Sequence, residues 1–120
     1  MARRTSLEQL RISALDKLAR VEFRRAEKLE NSGDLVAAMA AFEKVLQLHP
    51  TEPSTVLRLA RIATKLDMFD QAESLYRVLL TLVPGDPGAV SNLASLLRGM
   101  DRHDEAIELY KAAVQANPEN

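Results

Sequence analysis

The sequence repeats itself every 34 residues, and this interval constrains the fold more than any other feature. One proline, one alanine and one aromatic residue keep the interval through three successive copies. They are Pro50, Pro84 and Pro118, then Ala38, Ala72 and Ala106, and then Phe42, Tyr76 and Tyr110. A chain with such a period folds as a stack of small supersecondary units, because each unit buries its apolar face only against its neighbours.

Each copy contains two segments in which apolar residues recur three and four positions apart, the spacing of a helix with one buried face. The second copy shows this pattern at Val56, Leu59, Ala60 and Ala63, and again at Ala72, Leu75, Tyr76, Leu79 and Leu80. The third copy shows it at Val90, Leu93, Ala94 and Leu97, and again at Ala106, Ile107, Tyr110, Ala113 and Val114. We therefore predict an all-α protein built from paired helices.

Turn-forming residues separate these segments. Asp86 followed by Pro87 predicts a helix start, since the carboxylate caps free N–H groups and proline has no N–H that the first turn would leave unbonded. Gly33 supplies the left-handed conformation that ends many helices. Asp67 and Asp101 occupy the equivalent turns, where aspartate adopts that conformation less easily than glycine. We expect mild backbone strain at both aspartates.

With this arrangement the sequence resembles the tetratricopeptide repeat family. The first helix of each unit carries a small and then a large apolar residue, and the second carries alanine, an aromatic, a small apolar residue and proline. These are Ala26, Leu29, Ala38, Phe42, Val45 and Pro50; Ala60, Ala63, Ala72, Tyr76, Leu79 and Pro84; and Ala94, Leu97, Ala106, Tyr110, Ala113 and Pro118. The resemblance implies a right-handed α-solenoid of three helix-turn-helix repeats, at residues 19–52, 53–86 and 87–120. Some positions depart from the family pattern: Glu22, Val56 and Val90 replace the usual aromatic of the first helix, and Ala63 is smaller than expected. Arg25 also stands where a leucine is usual, so the first repeat is the least typical.

Residues 1–18 precede the first repeat and are predicted to extend its first helix. No proline or glycine occurs between residues 6 and 31, and both Thr5 with Glu8 and Ser6 with Gln9 have the spacing of a capping box. We therefore expect one helix of about 26 residues. The second helix of the repeat is too short to cover the apolar residues of the extension, which need another partner. They are Leu7, Leu10, Ile12, Leu15 and Leu18.

The last helix is also expected to leave apolar residues uncovered, at Ile107, Ala113 and Val114. A following repeat would normally cover this face. Two explanations stay open: the chain forms a homo-oligomer through such faces, or it is part of a longer array. For the first explanation the candidate oligomerisation residues are Leu7, Leu10, Ile12, Leu15, Leu18, Ile107 and Val114.

The sequence offers no motif for catalysis, a cofactor or a metal. His49 and His103 fall at predicted turns, far apart in sequence, and glycine-rich phosphate loops and the spacings of hydrolases and zinc proteases are absent. Cysteine is absent too, and no stretch approaches the roughly 20 apolar residues of a membrane-spanning helix. We expect a protein without enzymatic activity, cofactor or membrane span, located in the cytoplasm.

In the tetratricopeptide repeat family, the first helices of successive repeats line a groove that holds a peptide or a helix. Arg58, Arg61 and Lys65 share one stripe of a predicted first helix, which suits an acidic peptide or a C-terminal carboxylate. A solvated surface whose charges are balanced by nearby acids is an interpretation of equal weight. The candidate groove residues are Phe23, Glu27, Leu57, Arg58, Arg61, Lys65, Asn92, Ser95 and Arg98.

The leading hypothesis is a non-catalytic scaffold that binds a protein or peptide in this groove and self-associates. The alternative is the regulatory or substrate-presenting N-terminal segment of a larger enzyme. Nucleic-acid binding ranks third, because the net charge is −1 at pH 7 and no exposed aromatic residues accompany the basic stripe. One subclass of the family grips chaperone tails with lysine, asparagine and arginine at fixed groove positions. This sequence does not reproduce that clamp, since the positions hold Phe23, Glu27, Arg58, Gly88 and Asn92.

Overall fold

The computed structural model describes residues 5–116; residues 1–4 and 117–120, including Pro118, the third proline of the repeat, lie outside that description. The described residues form six α-helices and no strand, which confirms the all-α prediction. The helices are α1 (Ser6–Asn31), α2 (Leu35–Leu48), α3 (Pro53–Lys65), α4 (Phe69–Leu82), α5 (Pro87–Gly99) and α6 (His103–Ala116). Packing divides the chain into one compact unit that ends at Glu52 and another that begins at Pro53. The predicted repeat boundaries stay predictions.

Helix α1 begins at a predicted capping box and runs without interruption. The Thr5 hydroxyl accepts a hydrogen bond from the Glu8 N–H at 3.1 Å, and the Thr5 N–H donates to Glu8 Oε2 at 2.9 Å. Ser6, the other predicted cap, is instead the first residue of the helix. All 26 residues expected as one helix are observed as one helix.

The unit that ends at Glu52 consists of α1 packed against α2. Alanines on both helices allow a close approach, and Phe42 is fully buried between them with its ring 5.4 Å from that of Phe23, edge to face. At the end of α2, His49 Nε2 lies 3.0 Å from Asp16 Oδ1. Residues 6–15 of α1 therefore extend beyond the helix that covers the rest of it.

The unit that begins at Pro53 contains four helices packed in chain order, α3 against α4, α4 against α5 and α5 against α6. Its core is mostly aliphatic, and each large side chain removed from water contributes about 1.5–3 kcal/mol. The predicted small residues are fully buried at Ala60 and Ala94, and nearly so at Ala106. The remaining core residues include Val56, Leu59, Ile62, Ala63, Ala72, Tyr76, Leu79, Ala89, Val90, Leu93, Leu96 and Leu97.

A cluster of charged side chains joins α4 to the turn before α6. Arg102 donates hydrogen bonds to both carboxylate oxygens of Glu73, at 2.6 and 3.0 Å, and also to Glu105. Arg77 donates to the same Glu73 at 3.0 Å. The hydrogen bonds from Arg102, more than any other contact, hold the pKa of Glu73 and that of Glu105 below their ordinary values. The cluster therefore holds α4 and the turn before α6 together while the carboxyl groups of Glu73 and Glu105 are ionised.

The turns have the predicted backbone conformations. Gly33 has a φ of 88°, and Asp67 and Asp101 have φ angles of 61° and 63°, so both aspartates lie in the left-handed region. Asp86 caps α5 by accepting a hydrogen bond from the Ala89 N–H at 2.9 Å, and Pro87 is the first helical residue. Local sequence thus fixes where these helices begin and end.

Candidate binding surfaces

Helix α3 presents the predicted basic stripe. Arg61 and Lys65 are exposed, and Arg58 is half-buried in the same stripe. We call these three residues the basic face. Leu57, proposed beside them as an apolar contact, is half-buried. The basic face therefore offers two solvent-facing cations, which suits a partner that carries carboxylates.

Helix α5 carries the candidates of the third repeat. Ser95 and Arg98 are exposed, and Asn92 is half-buried. Helix α4 packs against both α3 and α5, so it links the two helices that hold these candidates. Arg98 adds a third exposed cation to this unit, on a different helix from Arg61 and Lys65.

Thr64 and Tyr76 form a polar contact close to Arg61 that the sequence analysis missed, and because Tyr76 is 2% exposed this contact supports α3 from within. Burial raises the pKa of the Tyr76 hydroxyl, while a hydrogen bond with Thr64 and the charge of Arg61 act in the opposite direction. The Thr64 hydroxyl also donates to the Ala60 carbonyl at 2.8 Å. A signal was available in the repeat itself, because Phe42 stands where Tyr76 stands one repeat later and only tyrosine brings a hydroxyl.

Phe23 and Glu27 belong to the unit that ends at Glu52. The Phe23 ring is half-buried through its contact with Phe42, so part of this predicted groove residue serves the core of its own helix pair. Glu27 is half-buried as well. Helical periodicity gives the direction of the Phe23 side chain around the helix axis, and on that basis Phe23 was assigned to the groove. Periodicity does not show whether the ring is long enough to contact the next helix.

Helix α1 carries an exposed apolar stripe on the side turned away from α2. Successive helical residues are 100° apart, so residues 7, 10, 14, 18 and 21 fall within one sector of the helix. Ile12 and Leu15 were predicted with them, but they lie on the side of buried Ala19 and are less exposed. Val21 belongs to the stripe and was not predicted. We call the stripe the apolar face of α1, formed by Leu7, Leu10, Ala14, Leu18 and Val21.

Helix α6 has an exposed apolar surface at its outer side. Ile107 and Val114 are exposed, as predicted from the sequence, and Tyr110 lies between them and is exposed too. We call these three residues the open face of α6. Two shallow depressions adjoin it, one lined by Lys111 and Gln115 together with the open face, the other by Pro87, Val90 and Ala113 with Tyr110 and Val114. Tyr110 and Val114 line both depressions, so the two adjoin each other at the open face.

Between residues 5 and 116, no three His, Cys, Asp or Glu side chains are grouped so that they could hold a metal ion. Among the helices of the same residues, none has the length and apolar character needed to cross a membrane.

Comparisons with known proteins agree with the repeat architecture. The family model described as the tetratricopeptide repeat matches residues 31–97 and 68–120, which together cover most of the chain. No protein of curated function matches the sequence.

Solved structures with the same fold share little sequence identity with the chain. The first TPR of Spaghetti (RPAP3), bound to the HSP90 peptide SRMEEVD, is 21% identical, with a TM-score of 0.73 over 87% of this chain and 82% of that one. MamA AMB-1 is 22% identical, with a TM-score of 0.75 over 85% and 56%. YrrB, a TPR protein with an unusual peptide-binding site, is 18% identical, with a TM-score of 0.68 over 81% and 50%. The chain spans about half the length of MamA and of YrrB.

Proposed function

This chain belongs to the tetratricopeptide repeat family of helical solenoids, and from that premise we propose that it is a non-catalytic scaffold whose basic face binds an acidic peptide. The observation that carries the proposal is the exposure of Arg61 and Lys65 in line with Arg58 on a first helix. Two structural neighbours support a peptide as the ligand, since one is bound to a peptide that contains two glutamates and an aspartate and another is described by its peptide-binding site.

The physical basis of recognition is a charge-assisted hydrogen bond between guanidinium or ammonium groups and carboxylates. Arg98 extends the positive potential to α5, and Ser95 and Asn92 offer neutral hydrogen-bonding groups on the same helix. The chain as a whole carries a net charge of −1, so attraction of an acidic peptide depends on this local arrangement. The proposal takes a cytoplasmic setting, which a sequence without cysteine permits.

Self-association is the second part of the proposal. The apolar face of α1 and the open face of α6 support it, because exposed apolar stripes of this length are unusual on a protein that functions alone. In this role the chain presents several basic faces in one assembly, which raises avidity for a partner with repeated acidic segments.

Peptide binding is tested by fluorescence anisotropy with a labelled oligoglutamate peptide that has a free C-terminal carboxylate. We expect Arg61→Glu with Lys65→Glu to weaken binding by about tenfold or more, because two attractive contacts become repulsive. The matched control is Arg20→Glu with Lys44→Glu, which changes the net charge equally at exposed positions outside the basic face. Equal weakening by the control contradicts the proposal, since attraction then follows net charge alone.

A further inference from the structure

The second helices of the second and third repeats differ in what covers them. Tyr76 of α4 and Tyr110 of α6 occupy the same repeat position, yet Tyr76 is 2% exposed and Tyr110 is 42% exposed. Helix α5 packs against α4, whereas among the described residues α6 packs chiefly against α5. The open face of α6 is therefore the kind of surface that the first helix of a repeat covers.

Helix α1 shows the complementary difference. Val21 and Lys28 occupy the repeat positions held in α5 by Ala89 and Leu96. In α5, which has α4 on one side and α6 on the other, both positions are buried; in α1, Val21 is 60% exposed and Lys28 is exposed. Helix α2 leaves this side of α1 uncovered. Helix α6 holds the place of α2 in the pair that α5 forms, so the equivalent side of α5 is the one that meets α4. Helix α1 thus presents the side with which a first helix packs on a preceding repeat.

The extension lengthens this side toward the N-terminus. Leu7, Leu10 and Leu18 continue the stripe that contains Val21, and α1 is twice as long as α5, with 26 residues against 13. The helix therefore offers more apolar surface for docking than a standard first helix does. Covering these exposed leucines removes apolar area from water, which favours association.

Charge indicates which surface receives α1. Basic residues flank its apolar face, so two copies of α1 laid side by side would bring like charges together. Two acidic residues, Asp104 and Glu108, and one basic residue, Lys111, lie beside the open face of α6, and Lys111 is 3.6 Å from Glu108. The border of the open face is therefore net acidic, whereas the border of the apolar face of α1 is basic. The flanking residues on α1 are Arg11, Lys17, Arg24, Arg25 and Lys28, of which Arg25 lies 3.5 Å from Glu22.

We infer that the apolar face of α1 in one copy of the chain docks on the open face of α6 in a second copy, as α5 packs on α4. The inference rests on the self-association proposed above and adds which two surfaces meet. A contact between two different surfaces leaves one of each free at the ends, so association continues head to tail until it forms a filament or closes into a ring.

The test uses two variants, each with one surface disabled, and sedimentation equilibrium to measure mass. The first carries Leu10→Ser with Val21→Ser, and the second carries Ile107→Ser with Val114→Ser. All four residues are exposed, so circular dichroism should show unchanged helix content. Val36→Ser with Val78→Ser is the matched control, because these exposed valines lie outside both surfaces.

We expect the mass of the unmodified chain to rise with concentration to that of a dimer, which is the smallest closed ring, or beyond it, and the control to behave in the same way. Each disabled variant alone should be monomeric. An equimolar mixture of the two should form dimers and nothing larger, because it contains one intact surface of each kind per pair. Added salt should weaken the association only in part, since it screens the attraction between the charged borders and leaves the apolar contact in place.

Three results overturn the inference. Dimers of the second variant alone mean that α1 pairs with α1, and dimers of the first variant alone mean that α6 pairs with α6. A monomeric unmodified chain at every concentration means that neither surface drives association. Peptide binding by the basic face is measured separately. If the peptide binds but the chain stays monomeric, this inference fails and the peptide-binding proposal stands; if the chain associates but no peptide binds, the reverse holds.

Discussion

Helices α4 and α6 come from the same position of successive repeats, and they place equivalent residues in different environments. Tyr76 lies in the core and its counterpart Tyr110 faces solvent. Glu73 receives hydrogen bonds from Arg102, while its counterpart Ile107 is exposed. The repeat pattern therefore fixes the helix and its register, and the neighbouring helix decides whether a given position supports the core or offers a surface.

The largest test of this comparison is truncation of the two tyrosines. We expect Tyr76→Ala to lower the free energy of unfolding by about 3–5 kcal/mol, because it removes a buried ring and leaves a cavity. Tyr110→Ala should change it by about 0.5 kcal/mol, as is usual at exposed positions. Urea denaturation of dilute, monomeric samples gives both values. Equal losses would mean that Tyr110 is as buried as Tyr76 in solution.

An intermediate effect is expected at the charged cluster. Glu73→Gln should destabilise the protein less than Tyr76→Ala does, because the ion pairs of Glu73 are partly open to water. The pKa of Glu73 is lowered in the folded state, so its contribution to stability is complete above the ordinary value of 4.5 and is lost as the pH falls below it.

The pH dependence of urea unfolding checks this prediction. The unmodified chain should lose stability below pH 4.5 more steeply than the Glu73→Gln variant, which has no carboxyl group to protonate at this position. Glu105, whose pKa is lowered in the same direction, keeps part of the slope in the variant. Parallel profiles would show that the bonds from Arg102 to Glu73 do not form in solution.

The smallest effect is expected in the turns before α4 and α6. Asp67→Gly and Asp101→Gly should each raise stability by up to about 0.5 kcal/mol. Glycine relieves the strain of the left-handed conformation in the folded state, but its greater freedom in the unfolded chain offsets most of that gain. Asp101→Gly should stabilise the protein less than Asp67→Gly, because it also removes the contact between Asp101 Oδ1 and His103 Nε2 at 2.8 Å. Thermal unfolding of the two variants measures the difference, and a larger gain from Asp101→Gly would contradict this account.

Much of the fold was predictable because its determinants are local. The capping box at Thr5, the proline after Asp86 and the left-handed turns act within four residues of each helix end, and each was found where expected. Periodicity also identified the buried alanines, Ala60 and Ala94, since it gives the direction of each side chain around its helix.

The surfaces were predicted less completely, because exposure depends on how far neighbouring helices reach. Ile12 and Leu15 were grouped with Leu7 because the second helix of the first repeat is too short to cover them. Both are exposed, but they lie on the side of Ala19 and outside the stripe that contains Leu7. Val21 was missed because it was counted within the first repeat. Phe23 was placed in the groove; its ring contacts Phe42 and is partly exposed. Binding by any of the proposed groove residues stays a prediction.

The short turns within the helix pairs have a kinetic consequence. Only three residues separate α1 from α2, α3 from α4 and α5 from α6, so the contacts within each pair join residues that are close in sequence. Chains dominated by such local contacts search few conformations before they meet the right one, and they fold on a scale of about microseconds to milliseconds. During synthesis each pair can close as soon as its second helix leaves the ribosome, before the next pair has been made.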